Sequence, residues 1–389
     1  MRASPPAPGR TVPIRLTLWL LMLGNLTIGT GVLAPTGLLD RLAVDFHTSI
    51  AQAGSLIWAA AIVLGIGAPA LAWLLARVDR RPLLAACFLL YVVGYGVSTL
   101  ITDFTGLLVV RLVTVMAAAI YTPQAAAVVA LLMPPEQRAG GVAFVFLGWS
   151  LASAFGMPAA AYIGSVLGWQ TAYGAIAVAA LVQSGLLWWA LPSGLITPRI
   201  SLNTWRDVLR SPLLLRILLV TVVVMTAQFV VLTYLAPELK RMLDVGPLAL
   251  AILLSIYGSC GVLGNVIAAR LAGSIPPGRI LQITLISIAT GLLCWANGNG
   301  QLAIAGLGLV LWGLGGFASI SIQQSRLIMV APSLAPATAS LNSSALYLGQ
   351  AIGGIVASLL IALEMNAVIG WVGAMLAAAA WLIARCDPV

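Results

Sequence analysis

Between Leu16 and Ala384 the chain falls into twelve apolar runs of 17 to 29 residues, separated by short clusters of charged and turn-forming residues. A helix needs roughly 20 apolar residues to cross the hydrocarbon core of a bilayer, where its backbone must satisfy its own hydrogen bonds. Buried strands are far shorter than these runs. The runs predict helices 1 to 6 at about Leu16–Leu38, Ala51–Leu75, Leu83–Thr102, Gly106–Leu132, Gly140–Leu167 and Thr171–Leu191. Helices 7 to 12 follow at about Leu213–Pro237, Leu248–Ala272, Ile280–Ala296, Leu302–Met329, Ala335–Leu363 and Ala367–Ala384. Only 7% of the residues are charged, against roughly 25% in a soluble domain, so this inventory cannot clothe a water-exposed surface. A soluble enzyme, a nucleic-acid-binding module and a disordered scaffold are excluded, and an all-α integral membrane protein is expected.

Rare residues narrow the chemistry. Lys240 is the only lysine and has no glycine-rich run before it, so a phosphate-cradling loop is absent. His47 is the only histidine, which excludes a multi-histidine metal centre, a zincin helix and a serine–histidine pair within the spans. It reads as a loop residue or as a pH sensor at the membrane rim. Cys87, Cys260, Cys294 and Cys386 lack metal or disulfide spacing and read as packing residues. No catalytic residue, metal or cofactor is expected, so transport energy must come from a gradient.

The charge that remains is placed unevenly. With the N-terminus inside, alternate segments hold 15 of the 19 basic residues; the opposite segments hold Arg41, Lys240 and Arg241, and Arg111 lies within helix 4. Such a bias predicts that both termini are cytoplasmic. The net charge of +9 is then a topology signal facing anionic lipid rather than a nucleic-acid surface. Helix 1 follows a proline-rich basic leader like a signal peptide, but its apolar run is too long and carries no convincing cleavage site; it is expected to span.

The stretch Pro192–Pro212 is the longest polar interruption and divides the chain into residues 1–191, a central loop 192–212 and residues 213–389. Ser201–Arg210 within it has the pattern of an amphipathic helix lying on the inner leaflet. The halves echo each other. Leu33-Ala34-Pro35 is expected to end helix 1 and Leu235-Ala236-Pro237 to end helix 7; Gly65 stands twelve residues before Arg77, as Gly258 does before Arg270. Two matches in the same order suggest a duplicated six-helix unit, which puts a solute path between the halves.

Four stretches carry a family resemblance. Ala76-Arg-Val-Asp-Arg-Arg-Pro-Leu-Leu84 follows helix 2, Arg111 lies in Leu-Val-Val-Arg-Leu-Val-Thr, and helix 5 carries Gly148, Gly156, Pro158 and Gly164. The fourth pairs Arg326-Leu-Ile-Met-Val-Ala-Pro332 with Ala339–Gly354, where Asn342 and Gln350 share a helix face. Together they resemble the major facilitator superfamily, in its twelve-helix bacterial drug and sugar (arabinose-efflux-like) branch. The resemblance implies two pseudo-symmetric six-helix bundles with a substrate cavity between helices 1, 4, 7 and 10. It marks Arg77, Asp79, Arg80, Arg81 and Arg270 as gating or topology-fixing residues. In the basic loop Ala76 stands where an aspartate is common and Asp79 where a glycine is common, so a gate latch would be wired differently. The helix 5 glycines are similar to an antiporter motif, although close helix packing selects the same residues.

Candidate cavity residues are Asn25, Thr27, Thr30, Arg111, Tyr121, Gln124, Gln228, Tyr234, Gln323, Gln324, Asn342 and Gln350. The amides among them serve equally as substrate contacts or as glue between helices. Arg111 inside a span costs about 2.5–3.5 kcal/mol on insertion scales and marks a functional site by default. Relatives often pair such an arginine with a helix 1 acid near the position of Gly31, and Gly29-Thr-Gly-Val32 offers none. Counting residues from the outer surface puts Gly31 or Val32 at the depth of Arg111. Either helix 1 carbonyls and Asp40 satisfy Arg111, or an anionic group of the substrate does. In the first case Asp40 and Glu238, at outer helix ends, become the proton-coupling candidates. The expected protein is a monomeric, inner-membrane exporter of a small organic solute, exchanging it for protons. The competing readings are an importer or facilitator, of an anion if Arg111 faces it, and a transport-inactive sensor, disfavoured by the short loops.

Overall fold

A computed structural model describes residues 12–196 and 202–385; the leader arginines Arg2 and Arg10, Arg199, Ser201 and Cys386 lie outside the described residues. Twelve helices are long and apolar enough to cross a membrane, and the described residues contain no strand. Helix 1 is Ile14–Asp45, helix 2 Ser55–Leu74 after a short turn of helix at Ile50–Ala53, helix 3 Arg80–Ser98 and helix 4 Phe104–Leu132. Helix 5 runs in three pieces, Pro135–Leu151, a π-turn at Ala152–Gly156, and Met157–Leu167, and helix 6 is Trp169–Ala190. Helices 7 to 9 are Pro212–Leu232, Pro247–Leu271 and Pro277–Ala296; helices 10 to 12 are Leu302–Val330, Ala335–Ala362 and Ile369–Arg385.

Local chemistry sets the starts. The Asp79 and Asp103 carboxylates accept from the amides of Arg81 and Gly106, and Ser211 accepts from Leu214, each occupying a donor that the first turn leaves orphaned. Helices 7, 8 and 9 open on proline, which needs no amide partner there. Large apolar side chains remain exposed on the flanks, Leu100 at 80%, Ile66 at 69% and Leu363 at 68%; in a twelve-span chain these are the lipid contacts.

Two expectations about prolines are corrected. Pro35 does not end helix 1, which runs through it to Asp45. The carbonyl of Gly31, which Pro35 cannot serve, finds donors elsewhere, so the helix need not stop. Helix 7 ends at Leu232, before Leu235-Ala236-Pro237, and a second helix, Leu235–Leu243, begins there with Pro237 in its first turn. The amphipathic helix of the central loop forms at Leu202–Arg210. Val208 is fully buried and Trp205 packs with it against the feet of helices 7 and 11, so the bundle, rather than the leaflet, takes this apolar edge.

Helices 1–6 share one core, and helices 7–12 share a second that also takes in Leu39, Ala43, Ala53, Ile57, Met157 and Ala161. The first is crossed by an aromatic run, Phe88–Tyr121, Tyr91–Tyr95–Tyr173 and Trp169, with centroids 4.9–5.3 Å apart for these contacts. Lipid supplies no hydrophobic drive between helices, so small residues that let backbones approach matter most. A Cβ on Gly148 would overlap Met22 O of helix 1, and one on Gly291 of helix 9 would meet the Trp312 backbone of helix 10.

Candidate functional site

The two bundles meet along helices 2 and 11, helices 5 and 8, and the ends of helices 1 and 7. Three polar contacts cross between them. At the end where helix 1 finishes, the outer end of the predicted topology, Lys240 Nζ donates to Asp40 Oδ2 in an ion pair whose side chains are 27% and 24% exposed. Beside it the Tyr234 phenol donates to Ala51 O at 2.9 Å and lies 2.6 Å from Ser358 Oγ, while its ring caps Gly54. Burial pushes the Tyr234 phenol up to about 12. The third contact is deeper: Ser344 Oγ of helix 11 donates to Gly65 O of helix 2 at 2.8 Å. The buried atoms Asp40 Oδ1, Ser55 Oγ and Trp58 Nε1 have no hydrogen-bond partner near this seal. A closed end that leaves polar atoms unpaired is held less tightly than the bundle cores.

Arg111 is enclosed within helices 1–6, 4% exposed. Its Nη1 donates to Gly31 O at 2.9 Å and Tyr95 Oη at 2.7 Å, and its Nη2 to Val32 O at 2.8 Å. Nε reaches Leu56 O at 3.4 Å, and Tyr95 Oη donates to Gly31 O in turn. Backbone thus stands where an acid would: Gly31 O is free because Pro35 has no N–H, and it accepts from both Arg111 and Tyr95. The expected link from Arg111 to Asp40 is replaced by the Asp40–Lys240 pair. Tyr121, another cavity candidate, is also in the bundle interior, donating to Leu21 O and lying edge-on to Phe88. Both depart from the expected cavity position because an aromatic run and a bare carbonyl inside the bundle offer better partners than a wet cavity.

The remaining candidates form three groups. Asn25 donates to Val145 O and accepts from Thr122, which also accepts from Trp149 Nε1, joining helices 1, 4 and 5. Gln228 accepts from Trp312 Nε1 at 3.2 Å across helices 7 and 10. Gln323 accepts from Arg326 and donates to Ile217 O and Thr221; Thr221 donates to Asn342, and Asn342 donates to Gln324. Thr27, Thr30 and Gln324 are half-buried, while Gln124 and Gln350 are buried. Thr122, Tyr95, Ser344 and Lys240 were not singled out by spacing. The one available signal was a proline four residues after Gly31 and after Gly65.

The basic loop is wired within its own bundle. Arg80 is fully buried and donates to the carbonyls of Leu75, Ala76 and Val78, closing the foot of helix 2. Asp79 accepts from Gly194 N, and Arg81 donates to Trp188 O while lying 4.9 Å over the Trp188 ring. These contacts tie the loop to the exit of helix 6, whereas Arg77 and Arg270 are exposed. Gly148, Gly156 and Gly164 face helix 1, against Met22, Thr30 and Leu38. Pro158 lies on another face and lines a groove of about 650 Å³ between helices 5 and 8 with Phe155, Tyr162, Leu248 and Ile252. Glu238 binds Arg241 and Asn366, tying the helix Leu235–Leu243 to the loop before helix 12. Among the described residues no His/Cys/Asp/Glu group could hold a metal ion.

The relatives share this architecture. The chain is 29% identical over 340 residues to the inner membrane transport protein YdhP of Escherichia coli K12, covering 87% of each. The D-xylose-proton symporter has the same fold, with a TM-score of 0.77, 16% identity, and 96% of this chain and 98% of that one covered. A bacterial homologue of the human lysosomal transporter Spinster, solved inward-facing and occupied, gives 0.76 at 17% identity over 97% and 98%. The sequence profile of the Major Facilitator Superfamily matches residues 20–354, and this twelve-span membrane transporter belongs to that family.

Proposed function

We propose that the protein is a secondary active transporter that exports a small organic solute from the cytoplasm across the inner membrane, by alternating access and in exchange for protons. The Asp40–Lys240 pair carries the reading. It joins the bundles at one end through an ion pair that one proton dissolves, beside unpaired polar atoms that water would satisfy. The bundle interiors are cross-braced by many bonds and move as bodies; the seal between them is thin. Protonation of Asp40 releases Lys240 and favours opening of the outer end, which couples proton entry to solute release. Glu238 stands one turn before Arg241 on the same helix and is the second carboxylate in reach of this seal.

In this reading the solute meets the half-buried Thr27, Thr30 and Gln324, with Asn25, Thr122, Gln228 and Asn342 behind them. Arg111, held by four protein acceptors, braces its bundle. The walls mix amides, hydroxyls and indoles, which suits an amphipathic or polyhydroxylated solute. The test is a thermal-shift screen of the purified protein against small solutes, followed by flux of any stabilising solute in proteoliposomes with and without a pH gradient. Flux driven outward by an inward proton gradient is expected. Flux indifferent to the gradient would defeat proton exchange, and net flux inward would defeat export.

A further inference from the structure

The repeat glycines Gly65 and Gly258 both lie where a helix of one bundle crosses a helix of the other, but the two crossings are built differently. At Gly258 the contact is backbone on backbone: a Cβ there would stand 2.5 Å from Ala154 of the helix 5 π-turn. At Gly65 a Cβ would stand 3.4 Å from Tyr347 Cβ, an ordinary contact, and the crossing is held by the hydrogen bond from Ser344. Pro69, one turn further along helix 2, has no N–H to give Gly65 O. A bare carbonyl within a span needs another donor, and Ser344 supplies it from the opposite bundle.

The position of this bond along the seam gives it a role. Helix 2 and the turn before it meet the other bundle at Ala51 through Tyr234, at Trp58 against Gly354, and at Gly65 against Ser344 and Tyr347. The spacing is seven residues each time, a straight seam of about 20 Å, and Gly65 is its innermost point. Tyr347 also packs into the core of helices 1–6, so it crosses the boundary between bundles. When two rigid bodies rock apart at one end, each contact moves in proportion to its distance from the axis. We propose that the Gly65–Ser344 hydrogen bond is the fulcrum of the transport cycle, kept in both end states while the contacts at Ala51 and Trp58 part. Ser344 is then a positioning residue, acting on transport through the carbonyl that Pro69 strips. The proposal rests on the alternating-access reading above.

The near-van der Waals Cβ spacing at Gly65 and Tyr347 suits a disulfide and gives a direct test. The full chain, with Cys87, Cys260, Cys294 and Cys386 replaced by serine, is reconstituted in liposomes. Fluorophores are clicked onto azidophenylalanine at the positions of Thr102 and Asn299, exposed loop residues at the outer end of each bundle. Single-molecule energy transfer then reports outer-end distances in acidic and alkaline buffer. Oxidised Gly65→Cys/Tyr347→Cys protein is expected to keep both a short and a long distance, as in its reduced form; oxidised Asp40→Cys/Lys240→Cys protein is expected to keep only the short one. Collapse of the first variant to one distance on oxidation overturns the fulcrum. Ser344→Ala is expected to replace two discrete distances by a broad distribution and Ser344→Thr to restore them; an unchanged Ser344→Ala distribution overturns it as well. A single distance in every variant, or an unblocked Asp40→Cys/Lys240→Cys crosslink, overturns alternating access through this gate instead.

Discussion

The carbonyl of Gly31 accepts from the Arg111 guanidinium at 2.9 Å because Pro35, four residues on, has no amide hydrogen to offer it. An arginine without an acid is thereby paired with a carbonyl without a donor. Each is costly alone in a membrane interior, and together they hold helix 4 against helix 1. Tyr95, bonded to both, completes the triangle.

Replacing Arg111 by glutamine should therefore lower the stability of the N-terminal bundle while leaving solute affinity intact. The charged hydrogen bonds lost are worth about 1.5–3 kcal/mol each, with the stranded carbonyls adding to the cost. A thermal melt of the purified variant gives the first quantity and a binding isotherm the second. In a Pro35→Ala background, where Gly31 O regains its helical donor, the cost should shrink by about 1 kcal/mol, and a double-mutant cycle reads that coupling.

At the outer seal, Asp40→Asn should shift the population towards an open outer end. The pair is about a quarter exposed, which limits its worth to about 1 kcal/mol, a several-fold change in the open fraction. The charge-exchanged Asp40→Lys/Lys240→Asp protein should recover the closed state. Accessibility of an engineered cysteine at Ser358 to an impermeant thiol reagent would follow both.

The Tyr234 phenol gives the seal a second, alkaline sensitivity. Its pKa is raised from 10.0 to about 12 by burial, so the closed state favours the neutral phenol. Below pH 10 the phenol is neutral whether the seal is open or closed, and closure carries no penalty from it. Above that an open, hydrated phenol ionises first, and closure weakens as pH rises through about 12. Tyr234→Phe should abolish this alkaline opening and, having lost two bonds, close less firmly by about 1–2 kcal/mol at neutral pH.

Two glycine substitutions should separate bundle stability from bundle movement. Gly148→Ala places a Cβ into Met22 O inside one bundle and should destabilise it by about 1–3 kcal/mol, seen as a lower melting temperature. Gly258→Ala presses instead on Ser153 and Ala154 across the boundary between bundles. It should leave the melt within a few degrees of the parent and change the ratio of outer-end conformations. The opposite pattern would mean that the helix 5 glycines face the moving interface.

Much of the protein is written along the chain. Twelve spans follow from run length and scarcity of charge, since a bilayer allows a long apolar segment little besides a helix. The caps at Asp79 and Asp103 are equally local, and the helix 1 depth that meets Arg111 follows from counting 1.5 Å per residue. The role of each polar side chain was not legible. Asn25, Gln228 and Asn342 look alike in sequence, and which of them braces, faces the solute path or joins bundles depends on partners about 85 to 120 residues away.

The sequence by itself determined that this chain is a twelve-helix membrane transporter, because hydropathy and motif spacing are properties of neighbours along the chain. Only the tertiary structure decided how its few charges and bare carbonyls are paired: Asp40 with Lys240, Arg111 with Gly31, Ser344 with Gly65. The proline that frees a carbonyl is visible in the chain, but the donor that takes it comes from another helix, and helix packing alone brings the two together.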